Sequence, residues 1–304
     1  GGLASGPEPL LELLAFVRKT ILAAQGRRLT DLECHDICCK IAKIVQVGGV
    51  RRASTISLSD LHSESMRRAK HGDWYVDNQQ RAMANNSSVY EKRPDIYTFM
   101  SEFKALVDSR SGERGIFNRG AARRLRPARR KNARFIVNPC AEIVFRPFGL
   151  CNLSIAVARE DDTVETLIEK VRAAAYFGKI QSLCTNFNYV RPAWKKNAEE
   201  ELLLGVDVTG HADCPLPRFG APNRAELLRK LRETVAEVDA SLSPRFGCGL
   251  SAANTTIKPA GDSSELFACA SGASPRFGAQ QIRRFRESKI SPVANFLIAS
   301  GVPH

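Results

Sequence analysis

Residues 135–145 read Phe-Ile-Val-Asn-Pro-Cys-Ala-Glu-Ile-Val-Phe, two short runs of β-branched and aromatic residues around a five-residue insert. Such runs predict strands, and the Asn138-Pro139-Cys140-Ala141-Glu142 segment between them predicts the turn or tip of an extended loop. In extended chain, residues two apart share a face at roughly 6.6 Å, so Asn138, Cys140 and Glu142 are expected in one row the length of a small polar substrate. An amide holds hydroxyls, a carboxylate of raised pKa takes a proton from one, and a thiol acts as nucleophile or hydrogen-atom donor. The competing reading is a small buried cysteine in a strand turn, with Glu142 in solvent.

Cys151-Asn152-Leu153-Ser154 follows soon after, beyond Phe148-Gly149. Cysteines on neighbouring extended segments come within disulfide reach, which makes Cys151 a candidate redox thiol. Outward from this centre, Pro9 opens a helix with Leu10, Leu13, Leu14, Val17, Ile21 and Leu22 on a side expected to pack inward, and Gly26 ends it. A second helix starts at Thr30, with Glu33 completing a capping box. It carries Cys34 and Cys38 on its apolar stripe as core fillers. A metal cluster of Cys34, His35, Cys38 and Cys39 is the lesser reading, since no second ligand pair with zinc-type spacing appears and no metal is expected. Val50 to Leu58 reads as a strand. Thr163, Asn223 and Ser291-Pro292 open further helices, with extended stretches at Tyr75, Ser87 to Tyr90, Leu203 to Thr209 and Thr255 to Lys258. Strands mixed with helices imply an α/β layer or barrel. Pro-Arg-Phe-Gly recurs at Pro217, Pro244 and Pro275 with unequal spacing and dissimilar flanks, so it marks no solenoid.

At 304 residues and 43% hydrophobic, the chain is long enough to bury a core, and no Pro/Gly/Ser linker divides it. Residues 1–304 are therefore expected to form one large domain or part of one. No apolar run spans a bilayer and no basic leader precedes the first apolar stretch, so the expectation is a soluble, cytoplasmic protein with no membrane partner. Nine cysteines then argue for buried or redox-active thiols rather than a disulfide scaffold. Against 32 acidic residues stand 45 basic ones, net +13, with much of the excess between Arg114 and Arg134. That segment is expected to be a solvated loop. Without interleaved aromatics it makes a poor single-strand platform, which leaves nucleic acid a minor reading.

Asn138-Pro-Cys-Ala-Glu142 resembles the finger-loop motif of ribonucleotide reductases, and Gly149-Leu-Cys-Asn-Leu153 the strand carrying one of that family's redox cysteines. Further blocks follow in the family's order. Gly48-Gly-Val-Arg-Arg-Ala53 looks like the loop relaying effector identity to the substrate pocket. Arg81-Ala-Met-Ala-Asn-Asn-Ser87, Ser111-Gly-Glu-Arg-Gly-Ile-Phe-Asn118, Gln181 to Gly210, and Thr256-Ile-Lys-Pro-Ala-Gly-Asp-Ser-Ser264 with Ala270-Ser-Gly272 match as well. The Asn-Asn-Ser and Lys-Pro-x-Gly blocks are most similar to the adenosylcobalamin-dependent class, the alternative being a class I-type large subunit.

The resemblance implies an α/β fold, part of the family's ten-stranded barrel. It implies Cys140 as the thiyl-radical residue abstracting the ribose 3′ hydrogen, Glu142 as acceptor of the 3′-hydroxyl proton, Asn138 as a partner of the ribose hydroxyls, and Cys151 as one of two reducing thiols. Pro259, Ala260, Gly261, Ser263 and Ser264 correspond to a substrate-phosphate segment, with Asp262 as an awkward neighbour; as bare sequence it is equally an ordinary turn. Gly48, Gly49, Arg51 and Arg52 correspond to the specificity loop, Arg51 and Arg52 being otherwise surface ion-pair formers. Adenosylcobalamin, a ribonucleotide, a nucleotide effector and a thioredoxin-type reductant are the implied cofactor and partners. The chain departs from the family where relatives have early strands and the partner of Cys151 ahead of the position of Gly1, a C-terminal cysteine pair beyond that of His304, a larger residue and a histidine at Ala273-Ser274, and commonly a serine at Asp207. A split or truncated, non-catalytic barrel fragment is therefore the competing expectation.

Overall fold

A proline in the first turn and a glycine past the end delimit α1 (Glu8–Ala23), with Gly26 at φ 82°. The computed structural model describes residues 6–47, 51–276, 278, 280 and 291–303. They form two units, one drawn from Gly1–Gly120 and Ile282–His304, the other from Ala121–Gln281.

In the first unit, α1 does not pack inward as its periodicity predicts. Leu13 is buried, but Leu10, Leu14, Ile21 and Leu22 are about half exposed. Periodicity reports that a helix has an apolar side and is silent on what covers it. The capping box of α2 (Asp31–Ile44) forms as expected, with the Glu33 amide donating to Thr30 Oγ1 at 3.2 Å and the Thr30 amide to Glu33 Oε2 at 2.8 Å. The cysteine assignment on α2 is corrected: Cys34 and Cys38 are exposed, and Cys39 and His35 face inward, Sγ to Nε2 at 3.5 Å. Among the described residues no three metal-ligating side chains come together. Asp36 is turned to Arg81, which donates to both its oxygens at 2.7 Å.

β1 (Gln46–Val47) pairs antiparallel with β2 (Arg51–Arg52). β3 (Thr55–Asp60) begins later than the Val50 start expected for it; Val50 lies outside the described residues. It runs parallel to β4 (Ala84–Val89), joined by α3 (Glu64–Arg67), α4 (Trp74–Asp77) and a 3-10 turn at Gln79–Met83. Tyr75 therefore sits in a helical turn, not the extended stretch expected; Asp73, Asp77 and Asn78 around the aromatic pair favour turns over strand. α5 (Ile96–Ser109), capped by Asp95, links β4 to the parallel β5 (Gly115–Phe117).

The arginine-rich segment is a solvated loop only in part: residues 126–134 lie outside helix and strand and Arg124, Arg129, Lys131 and Arg134 are exposed, but other arginines are buried. Arg114 is buried and chelates the buried Glu102 through Nε and Nη2 at 3.0 and 2.9 Å. α6 (Arg119–Leu125) follows, and Arg130 is buried against both oxygens of Glu201 at 2.7 and 2.9 Å. Arginines that look like surface charge in the sequence form buried ion pairs, because a planar guanidinium satisfies a carboxylate in two places at once.

In the second unit, β6 (Ile136–Val137) and β7 (Val144–Phe145) form the predicted hairpin. β8 (Leu153–Val157) is followed by α7 (Val164–Ser182), capped by Thr163, and by α8 (Pro192–Glu201) before β9 (Gly205–Thr209) returns parallel to β8, with Leu153 opposite Gly205 and Val157 opposite Thr209. A parallel pair needs such a helical crossover. α9 (Arg224–Arg245) follows Asn223 and packs on α7, burying Leu167, Val171 and Ala175 against Val206, Val235 and Val238. The far edge of β9 takes a parallel bridge from Thr255. α10 (Asp262–Leu266) and, in the first unit, α11 (Pro292–Ala299) complete the described elements. Pro217 is buried, Pro244 lies in the last turn of α9 and Phe277 is outside the described residues, so the three Pro-Arg-Phe-Gly segments share no structural role. No helix among the described residues is long and apolar enough to cross a membrane.

α7 and α9 are also tied by charge. Lys179, fully buried, donates to Asp239 Oδ1 at 2.7 Å and to the Gly249 carbonyl at 3.0 Å. Asp239 also accepts the Ser251 amide at 2.9 Å. Lys179→Met leaves that carboxylate buried without its cation and is expected to lower stability by ~3–5 kcal/mol in urea unfolding. Lys179→Met with Asp239→Leu should regain most of the loss; a single variant costing under ~1 kcal/mol would show that the pair is not what joins the helices.

Candidate functional site

The β6–β7 connection is tighter than the extended row predicted for it. The Ala141 amide donates to the Asn138 carbonyl at 2.8 Å, the Asn138 amide to the Ile143 carbonyl at 3.2 Å, and Ala141 lies at φ 65°. Asn138, Cys140 and Glu142 therefore do not alternate along one extended face. The chain folds back on itself because an asparagine side chain can replace backbone partners in a turn. Asn138 Oδ1 accepts the Ile143 amide at 2.9 Å and Nδ2 donates to Glu142 Oε2 at 2.7 Å. The buried amide of Asn138 thus fixes the Glu142 carboxylate, and Cys140 is left exposed at the tip.

Cys151 stands two residues ahead of β8, and both cysteines are free thiols. Desolvation raises the Cys140 thiol, with the charge of Glu142 adding and that of Lys258 opposing. The Cys151 thiol is pushed up to about 11, again first by desolvation and then by Glu142 and Cys140. Glu142 thus acts on both thiols, and Cys140 on Cys151. Both are held as S–H at neutral pH, which suits hydrogen-atom or reducing chemistry and works against a thiolate nucleophile.

Two residues absent from the sequence-based site belong to this cluster. Asp207, in the middle of β9 and 3% exposed, is pushed up to about 7 by burial and by Glu142, against the backbone amides of Lys258 and Val208 and the Lys258 charge. Its Oδ2 has no hydrogen-bond partner among the described residues. Lys258 acts on Cys140, Cys151 and Asp207 alike. The stretch that carries it is tied to β9 by the Thr256 amide on the Val206 carbonyl at 3.1 Å, and to the hairpin by Thr256 Oγ1 on the Glu142 carbonyl at 3.2 Å. Asp207 registers in the sequence only as an unusual residue; its burial comes from strand pairing between distant segments. Two cavities flank the cluster, one of about 220 Å³ lined by Cys151, Asn152, Cys184 and Asn197, another of about 180 Å³ lined by Glu142, Asn152 and Thr255.

The expected phosphate segment is a turn into a short helix. Gly261, at φ 48°, precedes α10. The Ser263 amide donates to Ala260 at 3.0 Å, the Ser264 amide to Gly261 at 3.1 Å, and the Ser264 hydroxyl to the Gly261 carbonyl at 2.6 Å. Ala260 and Ser264 are buried, Pro259 and Gly261 exposed. Several of the donors assigned to phosphate are thus already engaged within the turn. A side chain at Gly272, at φ 53°, would clash with the Lys258 carbonyl, so this glycine lets the two segments meet. Of the expected specificity loop, Gly48 and Gly49 lie outside the described residues, and the backbone of Arg51 and Arg52 forms β2.

No protein-family model matches the chain. Among curated proteins it is similar over 99% of its length to adenosylcobalamin-dependent ribonucleoside-triphosphate reductases, at 28% identity to that of Lacticaseibacillus paracasei, 27% to that of Levilactobacillus brevis and 26% to that of Lactobacillus leichmannii. The chain spans 43–44% of the length of these relatives. Among solved structures, a B12-dependent class II ribonucleotide reductase superposes on 90% of the chain and 41% of its own, with TM-score 0.72 and 22% identity. The alpha subunit of the Actinobacillus ureae class Id ribonucleotide reductase covers 98% of the chain and 64% of its own, with TM-score 0.56 and 13% identity. The chain is thus similar to adenosylcobalamin-dependent ribonucleoside-triphosphate reductases, and its α/β fold is one that a class II enzyme shares.

Proposed function

We propose that this chain carries the substrate-reducing site of an adenosylcobalamin-dependent ribonucleotide reductase. The observation that carries the reading is the pair of thiols, Cys140 and Cys151, both kept protonated beside a carboxylate that Asn138 holds in place. The exposed Cys140 S–H also fits the cofactor, because a group that removes a hydrogen atom needs a thiol it can reach and not a thiolate. Adenosylcobalamin, when bound, would supply the oxidising equivalent, and Cys140 is the residue placed to give up its hydrogen atom. The names of the curated relatives favour this class over a class I-type large subunit.

The chain's own residues then divide the work. The Cys140 sulfur abstracts the ribose 3′ hydrogen atom, and Glu142 accepts the 3′-hydroxyl proton. Asn138, already bonded to Glu142, orients that carboxylate and meets the ribose hydroxyls. Cys151 supplies reducing equivalents as the 2′-hydroxyl leaves as water, and a thioredoxin-type protein restores the thiols. Arg51 and Arg52 relay a bound nucleotide effector, the 259–264 turn receives the substrate's phosphates, and the protein works in the cytoplasm.

In the intact protein, supplied with adenosylcobalamin and a dithiol, Cys140→Ser is expected to abolish deoxynucleotide formation. Glu142→Gln should slow it by about 10²–10⁴-fold, the usual contribution of a positioned base. Asn138→Ala should slow it less, with a rise in KM, because Glu142 keeps its charge and loses its orientation. Retained turnover in Cys140→Ser would remove the reading.

A further inference from the structure

A glycine in a strand gives up packing and costs conformational freedom, so it marks a place where another group comes close. Gly205 opens β9 opposite Leu153 of β8 and is buried. Its φ is not positive, so the backbone itself would admit a side chain. Space is what excludes one. A Cβ at this position would lie 2.6 Å from Leu153 Cδ2, 3.2 Å from the Asn152 carbonyl oxygen and 3.3 Å from Thr256 Cγ2. The empty side of Gly205 is thus where the segment after Cys151 and the segment before Lys258 meet across β9. Gly205 also lines the cavity of about 180 Å³ that Glu142 and Asn152 line.

Each neighbour of that space is tied to a group of the site. Asn152 follows Cys151, and its Nδ2 donates to the Gly178 carbonyl of α7 at 2.9 Å and to the Leu203 carbonyl just ahead of β9 at 3.0 Å. Those two bonds pin the Cys151 segment. On the other side, the Thr256 amide donates to the Val206 carbonyl at 3.1 Å and its Oγ1 to the Glu142 carbonyl at 3.2 Å. Cγ2 and Oγ1 share one carbon and a β-branched side chain has little χ1 freedom, so a push on Cγ2 is passed to the hairpin. Resting on the reading above, in which Cys140 and Cys151 serve one substrate, we propose that Gly205 and Thr256 form a joint that sets where the Cys140–Glu142 turn stands relative to Cys151. Gly205 acts by leaving its side empty and Thr256 by linking β9 to the turn. Both are positioning residues, acting through the groups they hold.

A graded series separates the joint from general packing. Gly205→Ala brings one methyl against the end of Leu153, which can turn aside, whereas the added carbons of Gly205→Val must also meet Asn152 and Thr256. Valine favours strand more than alanine or glycine does, so a loss that deepens from Ala to Val comes from the space and not from the backbone. In the intact protein with adenosylcobalamin and a dithiol, Gly205→Val should lower kcat by about 10²-fold with little change in KM, the usual effect of a displacement of about 1 Å, and Gly205→Ala should lower it less. Gly205→Val with Leu153→Ala keeps the summed volume of the facing pair nearly constant and should regain most of the rate. Thr256→Val keeps the shape and loses the bond to the Glu142 carbonyl; kcat should fall by about 5–10-fold, and Thr256→Ser, which keeps the hydroxyl, should retain it.

Cross-linking of Cys140 to Cys151 by a short bis-maleimide, read by mass spectrometry of the linked peptides, reports their spacing without turnover. The yield should drop in Gly205→Val and Thr256→Val, return in Gly205→Val with Leu153→Ala, and stay at the parent level in Thr256→Ser. Parental kcat and yield in Gly205→Val, a Thr256→Val variant indistinguishable from Thr256→Ser, or a parent protein in which the two thiols are never linked overturns the proposal. Should Gly205→Val fail to fold, the two Thr256 variants decide between the same outcomes. If the intact protein reduces no ribonucleotide while the yields still follow the substitutions, the joint stands and the substrate assignment falls.

Discussion

β9 is the strand on which the second unit depends. On one side it pairs in parallel with β8 over five positions, from Leu153 opposite Gly205 to Val157 opposite Thr209; on the other it bonds to the 253–256 segment. A parallel ladder must be closed by a long crossover, so α7 and α8 are drawn over the sheet, and α9 packs on α7. The same register brings the site together. Cys151 enters at the head of β8, Asp207 occupies the middle of β9, Lys258 follows Thr255, and Thr256 reaches across to the hairpin of Cys140. A one-residue slip of β9 would turn Asp207 to the opposite face and bring a valine, Val206 or Val208, to its place.

The electrostatics of the cluster are decided by desolvation more than by pairing. One lysine, Lys258, acts on a carboxyl and two thiols, and its charge lowers the Cys140, Cys151 and Asp207 values without reversing their rise. Elsewhere the chain resolves buried charge by close bidentate pairs, as at Arg114 with Glu102 and Arg130 with Glu201. The contrast is informative. At Glu102 and Glu201 an arginine meets both carboxylate oxygens, and at Asp239 Lys179 meets one and the Ser251 amide the other. At Asp207 one oxygen has no partner among the described residues, and burial pushes the carboxyl up to about 7.

What was legible in the sequence was local. The Thr30–Glu33 capping box, the Thr163 cap, the start of α9 after Asn223 and the strand runs flanking residues 138–142 each depend on neighbours within a few positions, and each formed. The errors came where distant residues decide. The leucines of α1 have the period of a core-facing helix and are largely exposed. Cys34 and Cys38 fit the apolar stripe of α2 as well as Cys39 does, but Asp36 turning to Arg81, 45 residues away, settles which side is buried. Arg114 and Arg130 look solvated until Glu102 and Glu201 are known to lie against them. Asp207 shows no pattern at all, since nothing within β9 announces that Glu142 will be its neighbour.

The Asn138 turn carries the least obvious consequence. An extended row would have presented an amide, a thiol and a carboxylate to a substrate as three independent groups. The turn instead commits both ends of the Asn138 amide to the protein, Oδ1 to the Ile143 amide and Nδ2 to Glu142 Oε2. The second Nδ2 hydrogen is then what Asn138 has to offer any further partner. In return Glu142 is held in one rotamer beside Cys140, with less freedom to lose when substrate arrives. The orientation of the Glu142 carboxylate is thereby set within a loop of six residues whose own hydrogen bonds maintain it.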